Sequence, residues 1–233
     1  MKILFTLACS ILSLFLGVYV GQVKTPKNSA QDEIAYPTQE RKTFAFIVYA
    51  YNQADWVEKT LRSILEQEYD YYRIVFIDDG SQDKTFQIAQ SILEGKPQEE
   101  KTIWIRNEKK LGYLPCLYQG VQNLLDREIA VPILAPDWLA HNGVLARMNS
   151  AFQNPNTWIF TADGIQYPSY ETTSTGCHSF YSAVFKQLSL EDLLKNETSE
   201  RVSDAHLKAL DTLAKDKISY AEEILLIKNL STL

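Results

Sequence analysis

The chain has 233 residues, 45% hydrophobic and 22% charged, a composition that fits a folded domain with an attachment and excludes a disordered chain. Its formal net charge is −6 and no dense Lys/Arg stripe runs through it, so nucleic acid is not an expected partner. The three cysteines, Cys9, Cys116 and Cys177, have no framework spacing; Cys116 and Cys177 read as buried free thiols, with a single bridge between them as the alternative.

No charged residue lies between Lys2 and Lys24. The apolar run from Ile3 to Gln22 is about 20 residues, roughly 30 Å as a helix, which matches the hydrocarbon core of a bilayer. The apolar region of a secretory signal is usually shorter, about 7–15 residues. Residues 1–23 therefore read as a single-pass membrane anchor, with a cleaved signal and secretion as the alternative. Lys2 flanks one side and Lys24 and Lys27 the other, which leaves the orientation open. Residues 24–42 are polar, contain Pro26 and Pro37, and read as a linker. The domain proper spans residues 43–233.

Two apolar runs then stop abruptly at small or polar residues, Phe46-Ile-Val-Tyr-Ala-Tyr-Asn52 and Ile74-Val-Phe-Ile-Asp-Asp-Gly-Ser81. An amphipathic helix from about Ala54 to Glu68 lies between them. This is a βαβ unit, and such units bind ligands outside the carboxyl ends of their strands. Helical and strand patterns keep alternating: a helix from about Asp83 to Leu93, a strand at Thr102–Ile105 and a helix at Leu114–Leu125. A strand at Ile129–Leu134, a helix at Val144–Phe152 and a strand at Thr157–Phe160 follow. The alternation predicts an α/β fold with a doubly wound, mostly parallel sheet and helices on both faces. Phe180–Leu194, Ser203–Leu213 and Ser219–Lys228 read as mainly helical, packed over one end of the sheet. The triplets Asn196-Glu-Thr198 and Asn229-Leu-Ser231 are glycosylation sequons.

Three stretches carry a resemblance: Phe46–Asn52, Trp56–Gln67 and Ile74–Thr85. In order, spacing and residue type they resemble the opening of the family 2 glycosyltransferases, which have the GT-A nucleotide-sugar fold. The similarity runs from about Thr43 to Leu213 and fades after Ile165. It implies a nucleotide-sugar donor, of UDP type, and transfer of the sugar to an acceptor hydroxyl with inversion. It implies that Ala50, Tyr51 and Asn52 line the base pocket, with Tyr51 offering an aromatic face. Asp79 would accept the uracil-type N–H and Asp78 would support it from the strand end. A carboxylate suits that task because its hydrogen bonds are charge-assisted. Asp204, in Val202-Ser-Asp-Ala-His206, would be the base that takes the proton from the acceptor hydroxyl. The alternative for Asp204 is a helix cap.

The chain departs from the family at one motif. Where the family carries Asp-x-Asp-Asp to hold the diphosphate and a divalent metal, Mg²⁺ or Mn²⁺, this sequence has Leu134-Ala-Pro-Asp137. Leu134 and Pro136 offer no oxygen to a hard cation. Asp137 alone could serve as a weak metal ligand, or act as a turn or cap residue. A late metal-binding histidine, where the family has one, would be His178. Two functions follow: a membrane-attached glycosyltransferase, or a non-catalytic GT-A-like module that binds or scaffolds a partner transferase. A nicotinamide-linked dehydrogenase is a poor fit, because no Gly-x-Gly-x-x-Gly follows the first strand.

Overall fold

The computed structural model describes residues 40–195, 205–214 and 216–230. The apolar stretch 3–22, most of the linker, Asn196 and Asp204 lie outside them. Among the described residues no helix is long and apolar enough to cross a membrane.

The strands are β1 (Phe44–Ala50), β2 (Tyr72–Asp78), β3 (Ile103–Arg106), β4 (Ile129–Leu134), β5 (Trp138–Leu139), β6 (Ile159–Tyr167), β7 (Glu171–Tyr181) and β8 (Ile218–Asn229). The helices are α1 (Val57–Leu65), α2 (Thr85–Leu93), α3 (Tyr113–Gln122), α4 (Val144–Ala151), α5 (Ser182–Phe185), α6 (Leu190–Lys195) and α7 (Ala205–Ala214). They build one eight-stranded sheet in the order β3-β2-β1-β4-β7-β6-β8-β5. The first half, β3-β2-β1-β4, is wholly parallel. β1 is its centre, in register Phe44↔Tyr72 on one side and Phe44↔Ile129 on the other.

The sequence of β1 explains that position. A strand covered on both faces reads as a continuous apolar run rather than an alternating one, and six of its seven residues are buried. Phe44, Phe46, Val48 and Ala50 face one layer with Val57, Leu61 and Ile64 of α1, Ala89 and Leu93 of α2, and Leu145 and Met148 of α4. Ala45 and Ile47 face the other with Leu114, Leu117 and Val121 of α3 and Leu210 of α7. Each buried Phe or Ile of this kind contributes about 1.5–3 kcal/mol. Close packing of α3 needs Gly120, where a Cβ would stand 2.7 Å from Ile47 Cγ2.

Cys116 and Cys177 are both free and buried. The last quarter corrects the sequence reading. Ser219–Lys228 is not helical: it lies in β8, paired parallel to β6 and antiparallel to β5. Phe180 and Tyr181 belong to β7 and the short α5 and α6 follow, whereas the helix expected at Ser203–Leu213 is found as α7. The sheet is therefore extended by β7 and β8, while α7 packs against one of its faces. The apolar run Ile224-Leu-Leu-Ile227 fits a buried strand as well as a helix, so periodicity could not decide; pairing with β6 does. The β6–β7 hairpin was equally silent, because Glu171-Thr-Thr-Ser-Thr-Gly-Cys-His178 has almost no apolar period. Its pairing requires glycine at 164 and 176, whose backbones meet so closely that a Cβ on Gly176 would lie 2.2 Å from Asp163. Asn229 is 4% exposed, so its side chain is closed to a glycan.

Candidate nucleotide site

The carboxyl ends of β1, β2 and β3 converge in the parallel half of the sheet. Their loops are tied in sequence: Asp79 N–H donates to Ala50 O at 2.9 Å, and Asn107 N–H to Asp78 O at 2.9 Å. Asn52, held at φ 51°, locks the first loop to the second. Its N–H donates to Ser81 Oγ at 2.9 Å, and its Oδ1 accepts from Gln82 N–H at 2.9 Å. Asp83 accepts from Ala54 N–H and from Thr85 N–H at the start of α2.

The two acids at the end of β2 have different environments. Asp79 is fully buried and its carboxylate is saturated. Oδ1 accepts from Asn107 Nδ2 at 2.9 Å and Leu111 N–H at 2.8 Å; Oδ2 accepts from Gly112 N–H at 2.8 Å and the Tyr49 hydroxyl at 3.1 Å. Burial opposes ionisation, but the donors from Leu111, Asn107 and Gly112 outweigh it and hold the carboxyl below its ordinary range. The same burial, with the Asp79 charge beside it, pushes the Tyr49 hydroxyl well up.

Asp78 is also fully buried, but only half used. Its Oδ1 accepts from Ser81 N–H at 3.2 Å. Its Oδ2 has no hydrogen bond, although the half-exposed Arg106 brings Nε to 3.1 Å. The Arg106 charge meets that oxygen, but its hydrogen-bonding capacity is left unused.

Tyr51 is half-buried beside these acids, and Lys110 Nζ lies over its ring, 4.0 Å from the centroid. The 107–112 loop is fixed from below. Gly80 has φ 78°, and a Cβ there would stand 2.9 Å from Lys109 C. Sequence reading passed over Arg106, Asn107 and Lys110. The signal was present: Ile103-Trp-Ile-Arg-Asn107 is a third apolar run that ends abruptly at polar residues, like the two that precede it.

Asp137 has other partners. It is 6% exposed and its Oδ1 accepts the Asn229 N–H of β8 at 2.8 Å. Burial pushes its carboxyl up to about 7, against the pull of the Asn229 N–H and Lys228. His178 is buried in the layer beneath β7, its ring 6.0 Å from that of His206. Burial, and then His206, hold it well below the ordinary imidazole range. Among the described residues no group of three His, Cys, Asp or Glu side chains could hold a metal ion.

A parallel α/β half-sheet with acids and an aromatic ring at its carboxyl edge marks an α/β protein with a candidate ligand site where such sheets bind. Residues 45–204 match the family described as glycosyl transferase family 2, and the chain belongs to that family. It is 27% identical over 110 residues to a poly-beta-1,6-N-acetyl-D-glucosamine synthase of Staphylococcus aureus. That match covers 44% of this chain and only 26% of the synthase. TarS of S. aureus superposes with a TM-score of 0.66 at 13% identity, over 80% of this chain and 60% of the other. The mannosyltransferase PcManGT of Pyrobaculum calidifontis, solved with GDP-Man and Mn²⁺, gives 0.65 at 15% identity, over 81% and 57%. The mixed α/β sheet is thus of the GT-A type.

Proposed function

We propose that this chain is the donor-binding domain of a glycosyltransferase that takes a uridine-type nucleotide sugar and passes the sugar to an acceptor hydroxyl with inversion. One observation carries the reading. Asp78 Oδ2 is a buried carboxylate oxygen without a hydrogen bond, at the strand end beside Tyr51. A pyrimidine imide N–H is the donor such an oxygen lacks, with Arg106 moving aside and Tyr51 stacking on the base. The acceptor role assigned to Asp79 by resemblance thus passes to Asp78. Asp79 holds the loop that carries Lys110. Ala50 and Asn52 shape the floor and rim.

UDP-N-acetylglucosamine is the first donor to try. The matching synthase is named for a polymer of that sugar, and TarS has been solved with UDP-GlcNAc. Asp204 supplies the base for the acceptor hydroxyl, and the apolar segment 3–22 holds the domain at a membrane. The test is calorimetric titration of the full chain with UDP-GlcNAc and with GDP-mannose. Binding of the uridine donor, abolished by Asp78→Asn, supports the reading; preference for GDP-mannose or indifference to Asp78→Asn refutes it. Asp204→Asn should leave binding intact and stop transfer.

A second reading has its own support. Leu134 and Pro136 stand at the family's acidic positions, and the Asp137 carboxylate is engaged by Asn229. A module that binds a nucleotide sugar without turnover, as partner of an active transferase, accommodates both facts. Donor binding without any release of UDP, with and without added acceptor sugars, would decide for it.

A further inference from the structure

GT-A enzymes solved with a metal, such as the Mn²⁺ complex of PcManGT, set the expectation of a divalent cation under the diphosphate. The residues here do not fit one. The side chains of Leu134 and Pro136 contain no oxygen. Asp137 is buried with Oδ1 taken by the Asn229 N–H, and among the described residues no group of three His, Cys, Asp or Glu side chains surrounds a common point. A hard cation needs several oxygens at once. The charge of a diphosphate must still be met by something.

The 107–112 loop carries a cation at the candidate base site. Its backbone is clamped, because Asp79 accepts from Leu111 N–H and Gly112 N–H at 2.8 Å each, and Lys109 packs against Gly80. The Lys110 side chain itself is exposed. Its ammonium rests on the Tyr51 ring, the face a nucleobase would take. A single cation–π contact at an exposed site is weak and easily exchanged. A base entering that face displaces the ammonium from the ring and leaves it beside the phosphates that follow. An ammonium is a compact point charge with three donors, well suited to phosphate oxygens.

We propose that Lys110 neutralises the diphosphate in this site, so that a nucleoside diphosphate is bound without a divalent cation and the lysine moves from the Tyr51 ring to the phosphates. This rests on the uridine-site reading above. The test is calorimetry on the full chain with uridine and with UDP, each in EDTA and in Mn²⁺. UDP should bind in EDTA, and Mn²⁺ should change its affinity by less than about threefold. Lys110→Ala should weaken UDP by about tenfold or more while uridine binds as well or better, and Lys110→Arg should recover most of the loss. The inference is overturned if Mn²⁺ tightens UDP by about tenfold or more, or if Lys110→Ala leaves UDP unchanged or weakens uridine as much as UDP. Uridine binding that survives either result keeps the base site and sinks the lysine role alone. A chain that binds neither uridine nor UDP sinks both.

Discussion

Asp79→Asn tests the claim that this carboxylate is an anchor rather than a ligand. The wild-type group receives four donors in a site with no solvent exposure. An amide keeps the shape but has one oxygen. With that oxygen facing Asn107 and Leu111, its NH₂ meets the Gly112 N–H and the Tyr49 hydroxyl. The hydroxyl can rotate and accept; the Gly112 N–H cannot. One buried donor is then unsatisfied, at a cost of about 1–3 kcal/mol, and the remaining bonds lose their charge assistance. Relief of burying a charge offsets part of this. The net cost is about 3 kcal/mol, or roughly 6–12 °C in Tm for a domain of this size. Urea unfolding at neutral pH measures it. The pH dependence has a definite sign. Because the folded carboxyl titrates below its unfolded value, its contribution is present above about pH 4 and is lost as pH falls through the folded value. The stability gap between wild type and Asp79→Asn should therefore narrow in acid. A variant within about 0.5 kcal/mol of wild type at neutral pH, or a gap that stays constant into acid, refutes the anchor.

Asp137→Asn should act in the opposite direction. Its carboxyl is raised to about 7, so the wild-type contribution is present below about pH 4 and lost as pH rises through about 7. The amide, which still accepts from Asn229, should be more stable than wild type above pH 7 by on the order of 2 kcal/mol, and denaturation at two pH values checks it. Gly80→Ala should cost about 2 kcal/mol or more, from the positive φ and the clash with Lys109, and should weaken UDP binding by displacing the 107–112 loop. Glu128→Gln breaks a paired carboxylate that is 3% exposed, bound by Arg73 Nε at 2.7 Å and Nη2 at 2.8 Å. Chemical denaturation should register roughly 2–3 kcal/mol, with donor binding unchanged.

The parallel half of the fold was legible because its strands are apolar runs, and the ends of β1, β2 and β3 in polar residues mark the loops of the site. Tyr51, Asp78 and Asp79 follow from that pattern. What the pattern could not divide is the labour of the two acids. Asp78 and Asp79 are adjacent and chemically identical; only the fold delivers Leu111, Gly112 and Asn107 to one and leaves an oxygen of the other facing the Arg106 guanidinium without a hydrogen bond. The antiparallel half was opaque for another reason. β7 is rich in Thr and Ser, and the apolar run of β8 suits either element, so long-range pairing alone decides both. The contact between Asp137 and Asn229 spans 92 positions in the chain and has no local signature.

The loop after β4 shows how the residues at the family's acidic positions serve the fold instead. Ala135 N–H donates to Tyr49 O at 2.8 Å, and Asp137 N–H to Leu134 O at 2.6 Å. The Asp137 carbonyl accepts from Thr60 Oγ1 of α1 at 2.7 Å, while its side chain holds β8. Trp138 stacks on Trp56 with centroids 6.3 Å apart, and Lys59 Nζ stands 3.3 Å from the Trp138 ring. The polar groups of the segment are thus committed to β1, α1 and β8, and Pro136 is buried among them. Putting acids back should therefore fail to restore a metal site. Leu134→Asp with Pro136→Asp would bring two more carboxylates into a poorly hydrated loop beside Asp137, at a cost of several kcal/mol. The double variant should melt lower than wild type, and saturating Mn²⁺ should not recover the loss. A rise in its Tm of more than about 5 °C on adding Mn²⁺, absent in wild type, would mean that the loop can open its oxygens to a cation and that its present role in packing is dispensable.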